Sequence, residues 1–182
     1  MIGLYFMMGG GYLRFKFIKR YNMKEWNDFF LATAAAAATL TGLIFVGISI
    51  NLTHILSFPL LVIKASVALI LLLMILIFSA LLLVPQESHY LIGCETIVLG
   101  LIVWILITRA DLKIYYQSLK EFKRIYLFTL LFDQLATILY IIGGIFLILF
   151  GNPGLYWTVM AIFLSFIKSV YDAWVLLIEI KR

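Results

Sequence analysis

The stretch LLVIKASVALILLLMILIFSALLLV, residues 60–84, carries a single charged side chain, Lys64, in 25 positions. About 20 predominantly apolar residues are enough for an α-helix to cross the ~30 Å hydrocarbon core of a bilayer. The run is continuous, whereas strands of a membrane β-barrel alternate apolar and polar residues over about ten positions. The stretch therefore predicts a transmembrane helix, with Lys64 near enough to its start to reach the lipid headgroups.

Four further apolar stretches of similar length flank this one, at residues 28–50, 90–108, 125–150 and 155–180. The chain is 65% hydrophobic, with a mean hydropathy of +1.12, which is typical of a membrane protein. The connecting segments are too short to bury a core, which excludes an ordinary soluble catalytic domain. The sequence predicts an all-α, polytopic membrane helix bundle with five transmembrane helices over residues 28–182, preceded by a basic extension at residues 1–27.

Motifs for catalysis, metal binding and cofactor binding do not occur in the sequence. Cys94 is the only cysteine, His54 and His89 are the only histidines, and no CxxC or HExxH spacing occurs. The pair Tyr171–Asp172 matches half of the intramembrane aspartyl protease pattern, but the required Gly-x-Gly-Asp is missing. We therefore expect a non-enzymatic protein with no metal, no cofactor and no nucleic-acid partner.

The distribution of basic residues predicts the orientation. Five cations lie in residues 109–124, between the third and fourth stretches: Arg109, Lys113, Lys120, Lys123 and Arg124. Because Lys and Arg accumulate in cytoplasmic loops, this segment and the C-terminus are expected inside and the N-terminus outside. Residues 109–124 also predict an amphipathic basic segment at the interface, whose cations bind anionic lipid headgroups at about 1 kcal/mol each.

Residues 1–22 conflict with this orientation, since they carry four basic and no acidic side chains. Three resolutions are open: the first stretch does not cross the membrane, the charge rule is overridden, or the native chain begins at Met23. We favour a start at Met23, because it removes the conflict. The alternative is an interfacial arm, since aromatic and basic residues alternate there and favour headgroups.

Charged residues within the apolar stretches predict the most informative site. Asp133 and Asp172 lie at similar depth in the inner half of the bilayer, and Lys168 precedes Asp172 by one helical turn. Gln134 adjoins Asp133, and the four residues form a predicted intramembrane polar cluster. Such charges cost roughly 2.5–3.5 kcal/mol each on insertion scales, so they should face the bundle interior. Two interpretations remain open: a structural network, which we favour, and a proton or ion relay using the surplus carboxylate. Glu95, near the outer end of its helix, is a candidate for a polar contact with residues 86–87 or with a neighbouring helix.

Small residues recur every four positions in the first stretch, at Ala34, Ala38 and Gly42. Faces of this kind allow close approach of helix backbones in membranes. We expect this face to pack against other helices of the same chain, and the alternative is a homodimer interface.

Several strings resemble a family of small uncharacterised prokaryotic multi-pass membrane proteins, some of which are labelled "modulator of FtsH protease". They are Trp26 to Phe30 (WNDFF), residues 32–52 (ATAAAAATLTGLIFVGISINL), residues 81–86 (LLLVPQ) and residues 172–180 (DAWVLLIEI). The resemblance implies a multi-pass bundle in a prokaryotic cytoplasmic membrane. The function that we favour is that of a non-enzymatic accessory or regulatory component that binds another membrane protein, such as a membrane protease. The alternative function is a small proton- or ion-coupled transporter or channel that uses the inner polar cluster.

Overall fold

A computed structural model of the protein describes residues 24–84, 89–118, 123–151 and 153–180. Nearly all of these residues are helical, and no strand occurs among them. The helices are α1 (Lys24–Ile50), α2 (Leu52–Ser57), α3 (Pro59–Leu83), α4 (His89–Gln117), α5 (Lys123–Phe150) and α6 (Gly154–Ile180). All except α2 are long and apolar enough to cross a membrane, so the predicted all-α bundle of five transmembrane helices is confirmed.

Large apolar side chains cover the outside of the bundle. Leu43, Phe45, Ile102 and Leu149 are all exposed on the long helices, where a water-soluble protein would place polar residues. Since a bilayer solvates such side chains at no cost, this surface fits lipid contact. The chain is an integral membrane protein.

The connection between the first two membrane helices is partly helical. The short helix α2 follows α1 after Asn51, and its Ile55 is buried beside Leu61 of α3 and Leu176 of α6. Pro59 then occupies the start of α3, where its missing N–H removes no helical hydrogen bond. The short helix α2 therefore packs its apolar side chain Ile55 against α3 and α6 at this end of the bundle.

A difference from the sequence prediction concerns residues 109–124. The sequence predicts a separate amphipathic segment there, but α4 continues without a break to Gln117, well beyond the predicted end at residue 108. The buried face of this extension contains Asp111 and Ile114, whereas Leu112 and Tyr116 are exposed. Residues 109–117 are therefore not a helix separate from α4, and their location at the membrane interface stays a prediction; residues 119–122 lie outside the described part of the chain.

Helices α3 to α6 form a ring in which each packs on the next and α6 packs back on α3, while α1 lies outside, mainly against α3. Residues Leu71, Leu72, Ile75 and Phe78 of α3 are fully buried in this arrangement. Since successive long helices run in opposite directions, the start of α3, the end of α4, the start of α5 and the end of α6 lie at one end of the bundle. We call it the α2 end.

Glycines allow α4 and α5 to meet closely at the opposite end. A Cβ atom built on Gly93 would lie 2.9 Å from the carbonyl oxygen of Gly144, and one on Gly144 would lie 3.0 Å from that of Gly93. Side chains at these positions would force the two backbones apart. The turn between α5 and α6 also requires a glycine, because Gly151 has a φ of 69°.

The face of α1 that packs against α3 is displaced by one residue from the predicted face of Ala34, Ala38 and Gly42. Phe30, Thr33 and Ala37 are buried, and the Thr33 and Ser79 hydroxyls form a 2.8 Å hydrogen bond between α1 and α3. Ala38 is exposed. A Cβ atom on Gly42 would have no neighbour within 4 Å. The expectation that Ala34, Ala38 and Gly42 pack within the chain is therefore not met at Ala38 and Gly42.

Candidate functional site

Four helices deliver charged side chains to the α2 end of the ring. At 1.5 Å per residue, these residues lie roughly 8–18 Å from their helix ends: Lys64 of α3, Asp111 of α4, Asp133 of α5, and Lys168 and Asp172 of α6. They are at comparable depth because neighbouring helices run in opposite directions. The antiparallel ring thus brings together residues that are more than a hundred positions apart in the sequence.

Lys168 is the centre of the cluster. Its Nζ lies 2.8 Å from Oδ2 of Asp133, and it also donates to Oδ2 of Asp172, one turn away on the same helix. Lys168 is 3% exposed and Asp133 is fully buried. The structure therefore brings the three predicted charged residues together between α5 and α6, and Lys168 contacts both carboxylates at once.

Asp111 is a member of the cluster that sequence reasoning missed. It is 5% exposed, it lines the same cavity as Asp133 and Asp172, and its Oδ2 has no hydrogen-bond partner among the described residues. The sequence signal was its spacing, since Ile107, Asp111 and Ile114 share one helical face. The five cations of residues 109–124 hide that signal, because they predict a surface segment.

Lys64 also belongs to the site and does not simply extend to the headgroups. Its Nζ donates a hydrogen bond to the Tyr126 hydroxyl at 3.2 Å and lies 5.0 Å from the centroid of the same ring. The ammonium group therefore lies between α3 and α5 and lines the cavity that Asp111 and Asp133 also line. Its position brings a second positive charge to the site.

A cavity of about 230 Å³ lies among these side chains. This volume is well above the ~10–15 Å³ that one water molecule needs. Three aspartates and two lysines line it, so the formal charge of its lining is −1: Lys64, Asp111, Asp133, Lys168 and Asp172. Asp133 Oδ1 has no hydrogen-bond partner among the described residues. The cavity can therefore hold water or a small cation beside carboxylate oxygens that remain available.

A second cavity of about 370 Å³ adjoins the first. It shares four lining residues with the charged cavity: Ile125, Thr129, Lys168 and Tyr171. Its remaining lining consists of Phe128, Phe132 and Ile167. We call it the α5–α6 groove. Because Phe128 and Ile167 are 74% and 60% exposed, the groove lies at the outer, lipid-facing surface of the bundle.

Gln134 does not join the charged cluster, although the sequence places it beside Asp133. Its amide nitrogen donates to Thr108 Oγ1 at 2.9 Å, and its amide oxygen accepts a hydrogen bond from the Trp104 indole. Neighbouring residues on a helix point about 100° apart, so Gln134 faces α4 while Asp133 faces α6. Its structural role is a polar link between α4 and α5.

The other predicted polar residues lie away from the cavity. Glu95 is half-buried near the start of α4, and residues 86–87, its predicted partners, are outside the described residues. Of the predicted headgroup cations, Arg109, Lys113 and Arg124 are exposed. Lys123 Nζ lies 5.3 Å from the centroid of the Tyr115 ring. Lys120 and residues 1–22 are outside the described part of the chain, and binding to anionic headgroups stays a prediction.

No family model, curated protein or solved structure matches the chain, so nothing links it to the family that its sequence resembles. No group of three or more His, Cys, Asp or Glu side chains suited to a metal ion occurs among the described residues. Functional inference therefore depends on the charged cavity and on the outer surface of the bundle.

Proposed function

We propose that the protein is a small membrane transporter that moves protons or small cations by way of the charged cavity. The observation that carries this proposal is the convergence of five ionisable side chains from four helices on one cavity. Each such charge costs roughly 2.5–3.5 kcal/mol within a membrane, and intramembrane ionisable residues commonly line ion and proton pathways. A bundle that needed only internal cohesion would gain little from three aspartates at one depth.

Asp111 separates the transport interpretation from a purely structural one. A structural network would pair Asp133 and Asp172 with Lys168, as their contacts allow, and would leave the remaining interior apolar. Asp111 instead adds a third carboxylate, and one of its oxygens is buried without a described partner. Leaving a buried polar group unpaired costs about 1–3 kcal/mol, so this oxygen is suited to bind a water molecule or a cation, which favours the transport interpretation.

The contacts of Lys168 suggest how the cluster responds to its ligand. Its ammonium group touches one oxygen each of Asp133 and Asp172. When a proton or cation neutralises one carboxylate, the attraction of Lys168 to that group falls and the ammonium shifts toward the other. Because these carboxylates are on different helices, the shift changes the force between α5 and α6. This couples ligand binding to helix packing, as alternating access requires.

The test is ion flux in proteoliposomes that hold purified protein and an interior pH-sensitive dye. With a potassium diffusion potential, we expect proton flux above that of empty vesicles, or flux that appears only with Na⁺ or K⁺ as carried ion. Asp133→Asn and Asp111→Asn should abolish it, whereas Glu95→Gln should retain it, because Glu95 is near the opposite end of α4. Equal flux from all three variants, or none from the unchanged protein with any of these ions, would refute the proposal.

A second candidate function is the accessory role, which the surface of α1 favours. This helix packs mainly on α3, and Ala38 and Gly42 present a small-residue face to the outside. Such a face permits close contact with a helix of another membrane protein. Cysteine at Ala38 should then form an oxidative cross-link to a partner in native membranes, and Gly42→Leu should remove it. Cross-links unchanged by Gly42→Leu would count against the accessory role.

A further inference from the structure

We infer that the site binds a monovalent cationic amphiphile, with its ammonium head in the charged cavity and its apolar tail in the α5–α6 groove. This inference deepens the proposed transport function, on which it rests, by naming a class of substrate. It follows from the juxtaposition of two cavities of opposite character, one about 230 Å³ with charged lining and one about 370 Å³ with mainly apolar lining.

The charge of the first cavity selects the head. Its three aspartates exceed its two lysines by one formal charge, so one positive charge completes the balance and a negative head is repelled. Asp111 Oδ2 and Asp133 Oδ1 are both buried without a described hydrogen-bond partner. Asp111 is 5% exposed and Asp133 is fully buried. Both carboxylates line the cavity, so their open oxygens are the acceptors for an ammonium N–H.

The adjoining groove supplies a place for the tail. Phe128, Phe132 and Ile167 line it without contributing to the charged cavity. The exposure of Phe128 and Ile167 toward the lipid gives the groove a lateral opening, so an amphiphile already dissolved in the bilayer can enter with its tail at constant depth. Each CH₂ group kept in an apolar environment saves about 0.8 kcal/mol relative to water. A hydrophilic ion entering from water would gain nothing from this groove.

Lys168 lies at the junction, because it lines both cavities. Its ion pairs with Asp133 and Asp172 hold its ammonium group on the polar side, and its apolar stem is left to contact a tail. Thr129 and Tyr171, which also line both cavities, offer hydroxyls at the same boundary. The change from polar to apolar lining thus occurs across a few shared residues, as a head-to-tail boundary requires.

The test is equilibrium binding to the full chain in phosphatidylcholine nanodiscs, with empty nanodiscs as the partitioning background. Four probes are compared: decyltrimethylammonium, decanol, decyl sulfate and tetramethylammonium. We expect saturable binding of decyltrimethylammonium above background. Decanol has no charge, decyl sulfate has the opposite charge, and tetramethylammonium has no tail. Each of them should bind at least about tenfold more weakly, because loss of a charge partner or of a buried tail costs more than 1.4 kcal/mol.

Two variants with matched controls locate the head and the tail. Asp111→Asn should weaken decyltrimethylammonium binding about tenfold or more, while Asp28→Asn, an exposed carboxylate on α1, should not. Ile167→Trp fills the groove and should abolish binding, whereas Val170→Trp, on an exposed position of α6 outside both cavities, should not. Circular dichroism checks that each variant is folded.

The outcomes separate this inference from the proposed function. Equal binding of decanol and decyltrimethylammonium, or equal binding by the Asp111→Asn or Ile167→Trp protein, overturns the amphiphile site. If ion flux then persists, the transport function stands and only the substrate class falls. If the cation binds as expected but no flux of ion or amphiphile follows, the transport function falls and the site remains a binding site.

Discussion

Replacing Lys168 by methionine tests how the charged cluster holds α5 and α6 together. Methionine keeps the apolar stem and removes the ammonium that lies 2.8 Å from Asp133 and also bonds Asp172. Both residues of the Asp133 pair are almost completely buried, so no bulk water replaces the lost contact. Breaking a buried pair in this way typically costs about 3–5 kcal/mol. At roughly 2–4 °C per kcal/mol for a chain of this size, the unfolding midpoint should fall by about 6–20 °C.

A triple variant, Lys168→Met with Asp133→Asn and Asp172→Asn, tests whether the loss of stability comes from the two carboxylates that Lys168→Met leaves without a partner. Because it removes the whole network and leaves no uncompensated carboxylate at these positions, it should be more stable than Lys168→Met alone. Thermal unfolding of both proteins in the same detergent, followed by tryptophan fluorescence, gives the ranking. Lys113→Met, an exposed lysine of α4, is the control and should change stability by no more than about 0.5 kcal/mol. If Lys168→Met were as stable as Lys113→Met, the side chains of Asp133, Lys168 and Asp172 would have to be solvated, contrary to our reasoning.

Three shorter predictions concern orientation and packing. In a cysteine-free background, an impermeant thiol reagent added outside should label a cysteine at Asn152 and not one at Ser118; the reverse pattern would invert the proposed topology. Gly144→Leu should destabilise the bundle by about 1–3 kcal/mol through overpacking against α4, while Gly42→Leu, which has open space, should be nearly neutral in detergent unfolding. Thr33→Val removes the hydrogen bond to α3 and should cost about 0.6 kcal/mol; a loss above about 2 kcal/mol would mean that α1 depends on this contact far more than we argue.

The number and approximate limits of the membrane helices were predictable from the sequence because hydropathy alone determines which segments a bilayer can hold. The stretch at residues 60–84 became α3 (Pro59–Leu83) with one residue of difference at each end. The predicted end of the third membrane helix at residue 108 was wrong for a physical reason. A helix does not stop where hydropathy falls, and α4 continues to Gln117 because Asp111 and Ile114 still face the ring. Lipid contact and helix length are separate properties.

The site was only partly predictable for a related reason. The spacing of four residues predicts that Lys168 and Asp172 share one face of their helix, and the similar depth of Asp133 predicts that it lies beside them. The structure has both contacts. Depth alone could not separate Asp133 from Gln134, because rotation about the helix axis depends on which neighbours each helix packs against. It also could not include Lys64, whose bond to Tyr126 requires α3 and α5 to lie close enough for the two side chains to meet.

The two ends of the ring differ in a way that bears on its function. At the end opposite α2, Gly93 and Gly144 bring the backbones of α4 and α5 into direct contact, which leaves no room for a ligand or water. At the α2 end, charged side chains and the cavity occupy the space between the same helices. The glycine contact therefore closes the space between α4 and α5 at the end opposite α2. A transport cycle must loosen this contact in one of its states, whereas a purely structural cluster would leave it unchanged. A disulfide between α4 and α5 beside this contact, with both glycines kept, would therefore arrest ion flux if the cavity serves transport, without disturbing the ion pairs of Lys168 at the other end.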